Sequence, residues 1–170
     1  MEIIRSVLTE ELYLSCVEEL KQKFEQPTWV SSLMTWDDRI KVGITGSCLT
    51  AWVSESIKEK IYQEIKKYLP NSDIEKIRCR YYIWQYNSGI SWHNDGMYKF
   101  AGTIYLNDEW HVNDGGLFVW LDKTLDELRV IIPQQNTMVL NTKKEGHLVT
   151  PVSSTAQNFR YTIQVWGEEK

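Results

Sequence analysis

Nowhere does the 170-residue sequence run 18 apolar residues without interruption, which excludes a membrane-spanning helix. Cysteine is sparse: Cys16, Cys48 and Cys79 are odd in number, far apart and without a CxxC pair. That pattern fits reduced thiols in a reducing compartment rather than a disulfide framework. Positive charge is not in excess either. The net charge of −4 removes any global attraction to phosphate backbones, so no nucleic-acid partner is expected. Lys58, Lys60, Lys66 and Lys67 alternate with Glu55, Glu59 and Glu64, as on the solvated face of a helix. Met1–Arg5 lacks the basic-then-apolar layout of a signal peptide, so a cytoplasmic chain with no membrane partner is expected. Histidine is limited to His93, His111 and His147, which leaves few ways to build a metal site.

The remaining composition, 42% apolar and 25% charged, is that of a single globular domain spanning residues 1–170. Thr9 is a candidate N-cap, followed by Glu10 and Glu11 and by an apolar stripe of Leu12, Tyr13, Cys16, Val17, Leu20 and Phe24. Ser54 is a candidate cap for a second helix in which Ile57, Ile61, Ile65 and Leu69 recur and Pro70 is the stop. Residues 27–53 between them are irregular, with Pro27, Gly43 and Gly46 as breakers and short apolar pieces at 40–44 and 48–53 as strand candidates. From residue 74 the pattern changes to short strands, expected at 77–86, 91–95, 101–107, 116–121, 128–132, 137–141, 147–150 and 160–166. The fold class is therefore mainly β with flanking α, a jelly-roll-type barrel over 74–166 with N-terminal helices packed on one sheet and residues 1–73 as helical support and candidate lid.

Alternation places Arg160, Thr162, Gln164 and Trp166 on one face of the last strand, with Arg160 inside the barrel. A buried arginine is costly unless it meets an anion, so it points to a bound carboxylate. His93 and Asp95 stand two apart on a candidate strand and so face the same side. A distant imidazole completes a two-histidine, one-carboxylate set, which suits Fe(II) with open positions for a bidentate co-substrate and O₂. His147, opening a candidate strand, is the better third ligand. His111 lies beside the turn residues Asn113-Asp114-Gly115.

Over residues 80 to 166 the sequence resembles the 2-oxoglutarate-dependent Fe(II) dioxygenase superfamily, in particular its prolyl hydroxylase branch. The resemblance rests on Trp92-His-Asn-Asp95, Thr103-Ile-Tyr-Leu-Asn107, Gly115-Gly-Leu-Phe118, Gly146-His147 and Arg160-Tyr-Thr-Ile-Gln-Val-Trp166. It implies a double-stranded β-helix of cupin-like, jelly-roll form with His93, Asp95 and His147 as iron ligands. It implies further that Arg160 clamps the far carboxylate of 2-oxoglutarate, with Tyr105 as a second donor, Phe118 as an apolar wall, and Thr103 and Gln164 beside the co-substrate. The implied reaction consumes O₂, decarboxylates 2-oxoglutarate to succinate and CO₂, and hydroxylates a proline-containing peptide or protein. Ascorbate is expected to be stimulatory and the domain to act as a monomer. Arginine at 160 matches the oxygen-sensing and bacterial protein prolyl hydroxylases, where collagen-type enzymes usually carry lysine. Trp166 stands where nucleic-acid demethylases of the superfamily carry a second arginine, and the carboxylate of Asp95 excludes a halogenase. Gln164 departs from the threonine frequent in the oxygen-sensing enzymes.

Two other enzyme-scale readings and one binding reading stay open on sequence alone. They are a hydroxylase of a free amino acid or small metabolite, a cupin-like isomerase, which would want more histidines, and a catalytically silent 2-oxoglutarate or peptide-binding module, which would not need every ligand position filled. Tyr86, Trp166 and Trp36 are candidate substrate or lid residues. Trp29, Trp36 and Trp52 read equally as core anchors, and Asp37-Asp38-Arg39 as a solvated turn.

Overall fold

A computed structural model describes residues 1–26, 29–31, 36, 38–69, 74 and 76–168, apart from the Arg39 side chain. Pro27, Asp37 and Pro70 lie outside the described residues. In chain order the elements are β1 (Glu2–Arg5), α1 (Glu10–Phe24), β2 (Val30–Ser31), α2 (Asp38–Lys41), β3 (Ile44–Thr45), β4 (Cys48–Trp52), α3 (Glu55–Ile65), β5 (Ile77–Trp84), β6 (Gly89–His93), β7 (Phe100–Tyr105), β8 (Phe118–Asp122), β9 (Glu127–Ile131), β10 (Thr137–Asn141), β11 (His147–Val149) and β12 (Arg160–Gly167). They form a seven-stranded sheet in the order β1-β10-β7-β12-β5-β4-β2 and a five-stranded sheet in the order β3-β6-β11-β8-β9. The fold is a double-stranded β-helix, and each strand pair is antiparallel.

Period-two alternation divides the core. The odd-numbered face of β12 (Ile163, Val165) joins Cys79 and Tyr81 of β5 and Ile104 of β7 beneath Leu12, Tyr13, Cys16 and Leu20 of α1 and Ile61 and Ile65 of α3. The other face (Trp166, with Tyr82, Trp84 and Tyr105) packs against Ile90, Phe118, Trp120 and Val149 of the smaller sheet. The N-terminal helices thus lie on one sheet, as the apolar stripes require.

Thr9 caps α1, its hydroxyl accepting from the Leu12 N–H at 3.4 Å. Phe24 ends the stripe 52% exposed, where the helix runs past the sheet. Ser54 holds the cap position of α3 but makes no side-chain capping bond. Its own N–H donates to the Glu19 carboxylate instead, at 3.2 Å, and the Tyr81 hydroxyl donates to the same group at 2.7 Å. One carboxylate therefore ties α1 to both α3 and β5. The second helix ends sooner than its apolar spacing suggests. It passes into a 3-10 turn at Lys66–Tyr68, and Leu69 is already extended.

The expected strands from 77 to 166 are all present, with shifted ends. The segment 40–44, read as a strand, is instead the end of α2 followed by β3. Asp38 opens that short helix rather than sitting in a turn. β1 was not anticipated: four residues with one buried side chain, Ile4, carry too little pattern to stand out, and only pairing with β10 defines them.

Candidate metal centre

β6 and β11 pair so that His93 lies directly opposite His147. Their rings sit 4.3 Å apart at 56°. β6 ends at His93, so Asp95 is not on the strand as the sequence pattern implied. It lies in the following loop, where the Asn94 side chain accepts from the Gly96 N–H at 3.0 Å and the Asp95 carbonyl accepts from the Tyr98 N–H at 3.0 Å. These turns return the Asp95 carboxylate to the imidazoles, with Oδ2 3.6 Å from His147 Nε2. One ligand atom from each of the three residues lies within 4.8 Å of the others, an arrangement that can hold a metal ion. His111, by contrast, is exposed at the start of a 3-10 turn, Val112–Asp114.

Both imidazoles are oriented through their far nitrogens. His93 Nδ1 lies 2.8 Å from the Ser91 carbonyl and His147 Nδ1 lies 3.1 Å from the Glu145 carbonyl. A proton on each Nδ1 leaves the Nε2 lone pair for the centre. Burial, then the neighbouring His93, lower the His147 pKa to about 4, with Asp95 opposing, so its imidazole stays neutral and able to ligate at neutral pH. The Asn141 amide donates to the Glu145 carbonyl at 2.9 Å and accepts from the Glu145 N–H at 3.0 Å, bracing the turn that delivers His147. Gly146 is required beside it, because a Cβ there would stand 2.5 Å from the Trp92 indole nitrogen.

The histidines open onto a cavity of about 200 Å³ whose lining includes Arg160, Trp84, Tyr82, Thr103, Gln164, Trp166, Phe118 and Trp36. Phe118 stacks on the His147 ring at 4.8 Å and 14°, forming the expected apolar wall. The Thr103 hydroxyl donates to the Gln164 carbonyl oxygen at 2.6 Å. Arg160 is 1% exposed, and its Nε and Nη2 have no hydrogen-bond partner among the described residues. Its guanidinium lies 5.2 Å from the Tyr105 ring and 5.5 Å from the Trp84 ring. Burial lowers the Arg160 pKa and raises that of Tyr105. The Tyr105 hydroxyl is likewise buried and unpaired. The Tyr105 ring lies against the Arg160 guanidinium, whose charge opposes the effect of burial on the Tyr105 hydroxyl.

A family model of the 2OG-Fe(II) oxygenase superfamily matches residues 79–168. The chain belongs to that superfamily. This oxygenase has no match among curated proteins. Its fold is similar to that of a prolyl-4-hydroxylase from Pseudomonas putida, at 14% identity over 99% of this chain and 92% of that one with a TM-score of 0.72. It is similar also to a prolyl hydroxylase from Trichoplax adhaerens in complex with a peptide fragment of the hypoxia inducible factor oxygen degradation domain, at 18% identity, 99% and 83% coverage and a TM-score of 0.74. HygX from Streptomyces hygroscopicus, solved with nickel, 2-oxoglutarate and hygromycin B, shares the fold at 9% identity, 98% and 82% coverage and a TM-score of 0.65.

The superfamily implies Fe(II), 2-oxoglutarate and O₂, and the oxygenase's own residues fit them. The convergent histidine and carboxylate atoms suit the metal, and the orphaned donors of Arg160 suit a carboxylate. The motif left two braces unread. Asn107 donates to the Phe159 carbonyl at 2.9 Å and accepts from the Tyr161 N–H at 2.8 Å, pinning the backbone on either side of Arg160, and Asn141 plays the same part for His147. A polar residue that bonds only to backbone carries no chemical signature in sequence.

Tyr86 follows β5 and packs on Phe159 at 4.8 Å, next to the strand position of Arg160. Trp29 packs against the helix-side core. Trp36 is a wall of the cavity, donating from Nε1 to the Tyr82 hydroxyl at 2.9 Å and stacking on that ring at 5.5 Å and 22°. Because it is half-buried, Trp36→Ala is expected to cost about 1–3 kcal/mol, below the roughly 3–5 kcal/mol of a fully buried tryptophan. Since it also faces the cavity, the KM for the oxidised substrate should rise while that for 2-oxoglutarate stays put. Thermal unfolding beside steady-state kinetics checks both. An unaltered substrate KM would leave Trp36 a packing residue alone.

Proposed function

We propose that this oxygenase hydroxylates a prolyl residue within a polypeptide at ring carbon 4, with His93, Asp95 and His147 holding Fe(II) and Arg160 holding the far carboxylate of 2-oxoglutarate. One observation carries the reading: three convergent ligand atoms and a buried guanidinium with unpaired N–H donors face the same cavity. A dicarboxylate with one end at the metal ligands and the other at Arg160 would meet groups of matching chemistry. A Cβ on Gly116 would stand 2.7 Å from Arg160 Cδ, so that residue marks the floor. Trp120, four residues further along the same chain segment, pairs with His147.

Bound iron, with 2-oxoglutarate and O₂, supplies oxidation of the target C–H bond coupled to release of succinate and CO₂. The chain's own residues do the rest. Arg160 offers paired donors that match a carboxylate and fix the co-substrate's orientation. Phe118, Trp84 and Val149 exclude water around it. The Glu145 and Ser91 carbonyls fix the orientation of the His147 and His93 rings. The polypeptide substrate is supported by the peptide bound to the Trichoplax adhaerens relative. It is supported also by the combination of Arg160 with Trp166 on one strand, both lining the cavity.

The deciding experiment incubates the Fe(II)-loaded enzyme with 2-oxoglutarate and a proline-centred peptide library. Succinate should form in step with peptides heavier by one oxygen on proline, and both products should vanish when O₂ is withheld. Efficient hydroxylation of free proline or another small amino acid, with every peptide ignored, would replace this reading by a small-metabolite hydroxylase. Absence of turnover with any substrate, alongside intact 2-oxoglutarate binding, would favour a binding module.

A further inference from the structure

Arg80 is a second cavity arginine, and neither the metal centre nor the co-substrate floor uses it. On the inner face of the larger sheet it pairs across strands with Gln164 on one side and Trp52 on the other. It lies four residues along β5 from Trp84, the partner of Arg160. Arg80 thus lines, from the larger sheet, the same cavity that His93 and His147 line from the smaller one.

Its surroundings are built for an anion from outside. The guanidinium carbon lies over the Trp52 ring, 3.9 Å from its centroid, a cation–π contact that positions the planar fork. The neighbouring Arg78 is paired with Glu168. Arg80 has no ion pair among the described residues. Charge makes this cation surplus. Fe(II), the Asp95 carboxylate, 2-oxoglutarate and Arg160 balance to neutrality, leaving Arg80 as net positive charge at half-buried depth. Met97, which lines the same cavity, is 61% exposed and offers apolar contact to a chain lying across the mouth.

Resting on the peptide reading above, we infer that Arg80, stacked on Trp52, is a carboxylate-binding subsite that selects polypeptides carrying an acidic group beside the target residue. The carboxylate comes from a Glu or Asp side chain or from a chain terminus, and capped and uncapped peptides distinguish these sources.

The test is a binding selection, independent of turnover. Random peptides, one set with free and one with amidated C-termini, are captured on enzyme loaded with Mn(II) and 2-oxoglutarate without O₂, then sequenced. Acidic residues should be enriched at a fixed offset, or free C-termini preferred, and Arg80→Glu should reverse the preference toward lysine and arginine. For a selected acidic peptide, Arg80→Gln should weaken binding about 10- to 100-fold, but less than about twofold for the same peptide with Glu replaced by Gln. Arg80→Lys should fall between them. Unchanged Mn(II) affinity and melting temperature in each variant show that the fold is intact, and the acidic preference should fade with salt only where Arg80 is present. Capture of peptides with no acidic preference, a preference that survives Arg80→Gln, or no peptide captured at all overturns the inference. Enrichment of acid without proline leaves the subsite standing and sinks the prolyl reading. Proline without acid does the reverse.

Discussion

Alanine at His93, Asp95 or His147 is expected to abolish turnover and to weaken Mn(II) or Fe(II) binding by more than about 100-fold, whereas His111→Ala leaves both unchanged. Loss of an orienting partner alone typically costs about 10- to 100-fold in metal affinity, and loss of a ligand itself must exceed that. The three ligand atoms converge within 4.8 Å, so each is a large share of the protein's hold on the ion. His147 is the most telling position. It is 4% exposed and kept neutral, so removing it leaves a cavity against Phe118 as well as an incomplete centre. Asn141→Ala should give the intermediate defect of about 10- to 100-fold, since it bonds only to the Glu145 backbone that orients His147. Calorimetric titration of Mn(II) into each variant under argon measures the series. Normal metal affinity in His147→Ala would remove it from the ligand set.

For the co-substrate, Arg160→Ala is expected to raise the 2-oxoglutarate KM far more than any other single change on the cavity floor. Truncating one partner of a buried charge-assisted pair costs about 2–5 kcal/mol, on the order of 30- to several-thousand-fold. Arg160→Lys keeps charge but loses the planar fork, so its defect should be intermediate. Tyr105→Phe should be milder than Arg160→Ala, because one neutral donor to a charged group is worth roughly 1.5–3 kcal/mol. Gly116→Ala tests the position of Arg160 without touching its charge. Gly116 has φ +59°, and a Cβ there meets Arg160 Cδ at 2.7 Å. A small displacement of a clamp is worth roughly 10- to 100-fold, with metal affinity preserved. Steady-state kinetics against 2-oxoglutarate, with Mn(II) titration as control, reads all four. If Arg160→Ala left the KM unchanged, the carboxylate would be held elsewhere.

Residue types and spacing in the sequence determined a good deal by themselves. Alternation in β7 and β12 is a local property of the chain, so the division of Thr103, Gln164 and Arg160 from Ile104, Ile163 and Val165 was legible before any coordinates. The same holds for α1, whose stripe and Thr9 cap are written in consecutive residues. His93, Asp95, His147 and Arg160 stood out because metal and carboxylate chemistry demands uncommon residue types.

What tertiary structure decided are the relations between segments far apart in the chain. β1 has meaning only against β10. The place of Trp36 depends on Tyr82, on which it stacks, and that of Tyr86 on Phe159, against which it packs past the end of β5. Asn107, Asn141 and Glu19 act through backbone or hydroxyl partners that no spacing encodes. Arg80 belongs here too: alternation puts it on the inner face, but only the pairing of β5 with β4 and β12 sets it over Trp52 in the cavity that the metal ligands line. The physical reason is common to all of these. A side chain's type and face follow from local sterics, whereas its partner follows from sheet register, which is set by the packing of the whole barrel at once.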